Sequence, residues 1–128
     1  MAGYETKSRG GYGSNYKSKA EVQIARYLEK NNIKYKYEHP LAVIDRGKTR
    51  IWYPDYYLPG YGIIIEYFGV NGDKGYNERT KHKKEVYKDS GIEGVFLDED
   101  SLKGDWPTKI TGQIEDILKK RLDRFYNR

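Results

Sequence analysis

The spacing of apolar positions changes several times along the chain, and each change predicts an element. Residues 1–17, rich in Gly, Ser and Tyr, carry no hydrophobic period and predict a flexible, net basic arm. Order is expected from Ser18, where Ser18-Lys19-Ala20-Glu21 has capping-box spacing and Val22, Ile24, Ala25 and Leu28 continue a helical stripe that Asn31 and Asn32 end. Ile33, Tyr35 and Tyr37 then alternate with Lys34, Lys36 and Glu38, the period of a half-buried strand. After Pro40, Leu41 to Ile44 predicts a short strand, Asp45-Arg46-Gly47-Lys48 a hairpin turn, and Thr49 to Tyr57 a strand with a bulge or an end at Pro54. Pro59-Gly60 turns the chain into Gly62 to Phe68, a run apolar on both faces, as a central strand covered by helices requires. A loop with Gly69, Gly72 and Gly75 leads to a helix over Tyr76 to Asp89 capped by Gly91, and then to a strand over Ile92 to Leu97. A last helix opens at Asp105-Trp106-Pro107, its stripe being Ile110, Ile114, Ile117, Leu118, Arg121 and Phe125. The expected core order is α-β-β-β-α-β-α, with residues 18–128 forming one α/β domain.

Composition narrows the chemistry. The 128 residues contain no Cys, which excludes a disulfide scaffold, thiolate metal sites and cysteine catalysis. With only His39 and His82, a multi-histidine cage is not expected, so a metal would be held by oxygen, as Mg²⁺ or Mn²⁺ is. No apolar run approaches a membrane span and the first residues lack a signal-peptide core, so an intracellular protein without a membrane partner is expected. The formal charge is +5 and 14 residues are Tyr, a mixture that suits either a nucleic-acid partner or a lysine-rich surface over a tyrosine-filled core.

Three carboxylates stand where solvent-exposed side chains are not expected. Glu66 follows three isoleucines in the most buried strand; either that strand ends at Ile65 and Glu66 meets solvent, or the carboxylate has a cation to hold. Asp55, near the end of the preceding strand, comes beside Glu66 once Pro59-Gly60 folds the two strands antiparallel, and like charges held that close call for a divalent ion. Glu21 is either the capping-box partner of Ser18 or, on the face of Ile24, Ala25 and Leu28, a third member of the site. A cation to stabilise phosphoryl charge is sought on the following helix, where Lys83 lies on the sheet-facing stripe with Tyr87, and Lys84 on the neighbouring solvated face is the alternative.

Tyr53-Pro54-Asp55-Tyr56-Tyr57-Leu58-Pro59, continued by Ile65-Glu66-Tyr67-Phe68-Gly69, resembles the PD-(D/E)XK nuclease superfamily, nearest its helicase-associated and very-short-patch-repair-like members. The likeness spans residues 18 to 97 and implies a restriction-endonuclease-like core, α-β-β-β-α-β, with a mixed central sheet flanked by helices. It implies that Asp55, Glu66 and the Tyr67 carbonyl bind Mg²⁺ or Mn²⁺, with Glu21 completing or supporting the shell. The lysine usual two residues after the Glu is Phe68 here, and Lys83 stands where relatives supply a replacement from the next helix. The implied activity is a metal-dependent DNA endonuclease. Lys7, Arg9, Lys17, Lys84, Lys119 and Arg121 are expected to hold the nucleic-acid backbone. Likeness to the small dimeric Holliday junction resolvases makes branched or four-way DNA, cut by a homodimer, one expected substrate. A homing- or repair-type nicking endonuclease and a non-catalytic nucleic-acid-binding module are the alternatives.

Overall fold

The computed structural model describes Tyr16, residues 18–69 and residues 74–127. The elements in chain order are α1 (Lys19–Lys30), β1 (Lys36–Tyr37), β2 (Leu41–Asp45), β3 (Lys48–Trp52), β4 (Tyr56–Leu58), β5 (Ile63–Tyr67), α2 (Lys74–Asp89), β6 (Glu93–Leu97), a 3-10 turn (Glu99–Leu102) and α3 (Trp106–Tyr126). The fold is mixed α/β. β1, β4, β5 and β6 form one sheet in that order, antiparallel except for the parallel pair β5–β6, while β2 and β3 form a separate two-stranded ribbon.

Five strands precede α2, against the four runs read from the sequence and the three of the expected core order, because Pro54 cuts the run over Thr49 to Tyr57 in two. The alternation from Ile33 to Glu38 yields only the two residues of β1, and Glu38, with φ 55°, is buried rather than solvated. The strand expected over Thr49 to Tyr57 is two strands in two sheets. Pro54, which has no N–H for a ladder, sits in the crossing segment between β3 and β4. Helix ends follow the expected chemistry. Ser18 caps α1 by accepting from the Glu21 N–H. Both α1 and α2 end in a paired 6→1 and 5→2 hydrogen-bond pattern, around Asn32 (φ 57°) and Gly91 (φ 76°) respectively.

Strand alternation gives β5 two different cores. Ile63 and Ile65 pack with Ile24 and Leu28 of α1 and Ile110 and Ile114 of α3; Ile64 packs with Val86 and Tyr87 of α2 and Val43 of the ribbon. β5, opaque to water on both sides, is the most buried strand. Gly94 sits opposite Ile64, and a Cβ there would lie 2.7 Å from Ile64 Cγ1 and 3.2 Å from the Ile64 carbonyl oxygen, so this rung has no room for a side chain. α3 is long for its sheet: 21 residues span about 32 Å, while a five-residue strand spans about 17 Å. The last turns consequently overrun the core, and Phe125, expected on the apolar stripe, is exposed along with Leu122 and Tyr126.

The tyrosines are largely core. Tyr16, Tyr35, Tyr37 and Tyr56 are each at most 3% exposed and pack edge-on or tilted against one another. Tyr16, assigned to the flexible arm by sequence, hydrogen-bonds Tyr35 through the two hydroxyls at 2.5 Å and so belongs to the folded body. Burial raises the pKa values of Tyr16, Tyr35 and Tyr56 above the usual phenol range, helped for Tyr35 by its bond to Glu29 and for Tyr56 by the Glu21 charge. Among the described residues no helix is long and apolar enough to cross a membrane.

Candidate active site

β4 and β5 are antiparallel, and their rung Tyr56↔Ile65 makes Asp55 and Glu66 the next pair at the same end of the sheet. β5 does not stop at Ile65. It continues through Tyr67, leaving Glu66 only 4% exposed and Asp55 7%. The backbone holds both carboxylates reciprocally: Glu66 Oε1 accepts from the Asp55 N–H at 2.9 Å, and Asp55 Oδ2 accepts from the Tyr67 N–H at 2.7 Å. The Asp55 carbonyl in turn accepts from the Glu38 N–H at 3.0 Å, so its peptide units are fixed on either side. These bonds satisfy the Asp55 and Tyr67 N–H groups beyond the last β4–β5 rung, and they orient the two acids before any ligand arrives.

The second Glu66 oxygen faces α2. Oε2 accepts from the Tyr87 hydroxyl at 3.1 Å and lies 3.4 Å from the Lys83 ammonium. Burial, reinforced by the Glu66 charge, holds the Tyr87 phenol above its ordinary pKa, so it remains a donor. Lys83 also stands 5.8 Å from the Phe68 ring centre and 5.9 Å from that of Trp52. Phe68 thus provides an aromatic platform for an ammonium delivered from the next helix. Lys84 instead lies over Phe96, away from this cleft.

Glu21 reaches the same cleft from α1. It is 4% exposed, its Oε1 accepts from the Tyr37 hydroxyl at 2.8 Å, and its carbonyl accepts from Tyr56. The resulting cleft, about 430 Å³, is lined by Glu21, Asp55, Glu66 and Lys83 on the polar side and by Trp52, Phe68 and others on the aromatic side. A larger groove of about 670 Å³ between α1 and α3, lined by Arg26, Tyr27 and Trp106, has Glu115 as its only acid and gathers no comparable set.

No family model, curated protein or solved structure matches this chain.

Among the described residues no three Asp, Glu, His or Cys side chains form a ready-made metal-holding group. The donor chemistry that remains is two buried, backbone-oriented carboxylates and the adjacent Tyr67 carbonyl, all hard oxygen. That set fits Mg²⁺ or Mn²⁺, since Mg²⁺ is usually held by one or two carboxylates together with water and substrate phosphate. Electrostatics point the same way: three acids against one ammonium make a cleft that repels phosphate until a cation enters.

The expected nucleic-acid contacts divide. Lys7, Arg9 and Lys17 lie outside the described residues. Lys119 is exposed on α3. Arg121 is already engaged: it pairs with Glu93 at 2.5 Å and donates to the Tyr61 and Gly62 carbonyls, tying α3 to the start of β6 and to the β4–β5 turn. That is the end of the sheet away from Glu66, so Arg121 buttresses the fold instead of facing the cleft. Sequence reading passed over Trp52 and Tyr37; an aromatic one step before Tyr53-Pro54-Asp55 and a Tyr in a two-residue strand carry no recognisable signal.

Proposed function

We propose that this chain is a metal-dependent endonuclease that hydrolyses phosphodiester bonds in DNA, built on a restriction-endonuclease-like core of the PD-(D/E)XK kind. The observation that carries the reading is the buried Asp55–Glu66 pair, cross-held by backbone N–H groups, with an ammonium 3.4 Å from Glu66 Oε2. Buried carboxylates in a polar cleft are costly unless they have work to do, and a structural role would be served by apolar residues.

Asp55, Glu66 and the Tyr67 carbonyl would hold Mg²⁺ or Mn²⁺. Bound there, the ion supplies Lewis acidity and neutralises phosphate charge. Tyr87 and the Asp55 N–H keep the Glu66 carboxylate in one orientation. Lys83, 45% exposed and only loosely paired, can turn from Glu66 to a phosphate oxygen and stabilise the charge that builds there. Glu21, oriented by Tyr37, lies within the cleft to orient the attacking water through a hydrogen bond. The water oxygen forms the new P–O bond and gives up one proton to solvent, while the bond to the sugar oxygen breaks and that oxygen takes up a proton from solvent. The described residues of one chain present one such cleft, so paired cuts across a four-way junction require a homodimer.

Supercoiled plasmid with Mg²⁺ tests the activity: the expected result is nicked and then linear DNA, abolished by EDTA. A parallel panel of linear, flapped and four-way substrates separates structure-selective cleavage from simple nicking. The module reading is favoured by Phe68 in place of the motif lysine; it predicts duplex binding with no cleavage in any metal.

A further inference from the structure

The β2–β3 ribbon has two unlike faces. Cross-strand pairs Leu41↔Trp52 and Val43↔Arg50 alternate with Ala42↔Ile51 and Ile44↔Thr49. The first set turns toward α2, where Val43 is 1% exposed and Leu41 and Trp52 pack beside it. The second turns outward, and Ile44 and Ile51 are left 57% and 53% exposed. Ile44 and Ile51 lie diagonally across the two strands on this face, and neighbouring exposed apolar side chains rimmed by charge suit a contact surface.

The rim is basic. Arg46 and Lys48 stand exposed at the turn, while the ribbon's one acid, Asp45, is turned inward against His82 at 3.1 Å and takes up Arg50 at 3.5 Å. The ribbon is also held rigidly to the catalytic body, since the Ile44 N–H donates to Ser90 Oγ at the end of α2 at 2.9 Å. Its base is continuous with the candidate active site: Ile51, Trp52 and Tyr53 themselves line the cleft that contains Asp55 and Glu66.

We propose that this ribbon is the duplex-docking element of the nuclease, seated in the major groove beside the scissile phosphate, with Ile44 and Ile51 against the base edges and Arg46 and Lys48 on flanking phosphates. This rests on the nuclease reading and adds a substrate class to it: double-stranded DNA on one side of the cut. Dimensions select the groove. Two strands about 4.8 Å apart, with side chains, are about 10 Å wide, which the major groove of about 12 Å admits and the minor groove of about 6 Å does not. From Ile51 to the turn is about 14 Å of strand, or about four base pairs.

The test is binding of a fluorescein-labelled 30-base-pair duplex by anisotropy in EDTA, with Mg²⁺-dependent plasmid cleavage run on the same proteins. The variants are Ile44→Asp and the double substitution Arg46→Gln/Lys48→Gln, all exposed positions, with folding checked by circular dichroism. The double variant removes two phosphate contacts, so it should bind about 200-fold more weakly at 50 mM salt and about 20-fold at 200 mM, with the log–log salt slope smaller by about two. Ile44→Asp should weaken binding at least tenfold, and a footprint of the wild type should extend about four base pairs to one side of the cut. Binding within twofold of wild type in both variants, with cleavage intact, overturns the ribbon and leaves the nuclease reading standing. So does a wild-type dimer that Ile44→Asp splits, since the face would then belong to a second copy. No duplex binding by the wild type also overturns the ribbon, while cleavage of single-stranded or branched DNA in the parallel assay decides the nuclease reading separately.

Discussion

Replacing Tyr87 with Phe isolates one bond that holds the Glu66 carboxylate in place. The phenol donates to Glu66 Oε2 at 3.1 Å, with Tyr87 1% and Glu66 4% exposed. The ring packs edge-on against Trp52 at 5.3 Å and lies near Phe96 at 6.0 Å, contacts that Phe retains. The substitution therefore removes a hydrogen bond and little else. A buried bond to a charged acceptor contributes about 1.5–3 kcal/mol, and because Lys83 stays near the same oxygen the lower part of that range, about 1.5–2 kcal/mol, is expected. For a chain of this size that is a fall in Tm of about 5–8 °C. Urea unfolding followed by circular dichroism should show the loss as a lower midpoint at unchanged m-value. In a Glu66→Gln background the acceptor is neutral, and the same Tyr87→Phe change should cost about 1 kcal/mol less. A Tyr87→Phe protein within 0.5 kcal/mol of wild type, on the order of experimental additivity error, or an equal loss in both backgrounds, would refute the assignment of this bond.

Three further outcomes follow from other parts of the molecule. Lys83→Met should slow Mg²⁺-dependent cleavage about 10²–10³-fold in single-turnover kinetics, while changing stability by under about 1 kcal/mol because the pair with Glu66 is partly exposed; Lys84→Met should stay near the wild-type rate. Tyr16, Tyr35, Tyr56 and Tyr87 all have pKa values raised by burial, so the folded chain keeps protons that the unfolded chain releases above about pH 10. Their stabilisation is complete below that pH and is lost as pH rises through it, at up to about 1.4 kcal/mol per pH unit for each. The protein should unfold within one or two units above about pH 10, with tyrosinate absorbance appearing together with loss of helix; independent early titration of these phenols would contradict the burial argument. Gly94→Ala should destabilise by about 1–3 kcal/mol in urea unfolding, since its methyl group meets Ile64 at 2.7 Å, and an unchanged midpoint would show that β5 and β6 can separate cheaply.

The parts of this fold that local chemistry dictates were legible in the sequence. Ser18, Asn32 and Gly91 mark helix ends through hydrogen bonds made within a few residues, and the triple isoleucine of β5 is readable because both faces are covered. The pairing of Asp55 with Glu66 was legible for the same reason: the Pro59-Gly60 turn is short enough to fix the register. What sequence could not show depends on distant partners. The ribbon leaves the main sheet because Val43 and Trp52 find α2, an event no local period announces. Glu38 has the spacing of a solvated strand residue, yet its left-handed φ of 55° turns the chain and buries it. Arg121 reads as surface charge until Glu93, 28 residues away, comes beside it. The excess of Tyr, equally suited to base stacking or to a core, became interpretable only when four of its hydroxyls were seen buried and bonded to one another and to Glu21 and Glu29.

The proposed activity requires Asp55 and Glu66 to act together on a metal at a phosphodiester. The most direct measurement is single-turnover cleavage of supercoiled DNA over a Mg²⁺ titration, comparing wild type with Asp55→Asn and Glu66→Gln proteins that retain the wild-type circular dichroism spectrum. The account predicts Mg²⁺-dependent cleavage by the wild type and a loss of at least about 10³-fold in each variant, as expected when an interaction worth about 4 kcal/mol in the transition state is removed. Cleavage by either variant at the wild-type rate, or wild-type cleavage that persists in EDTA, would contradict it.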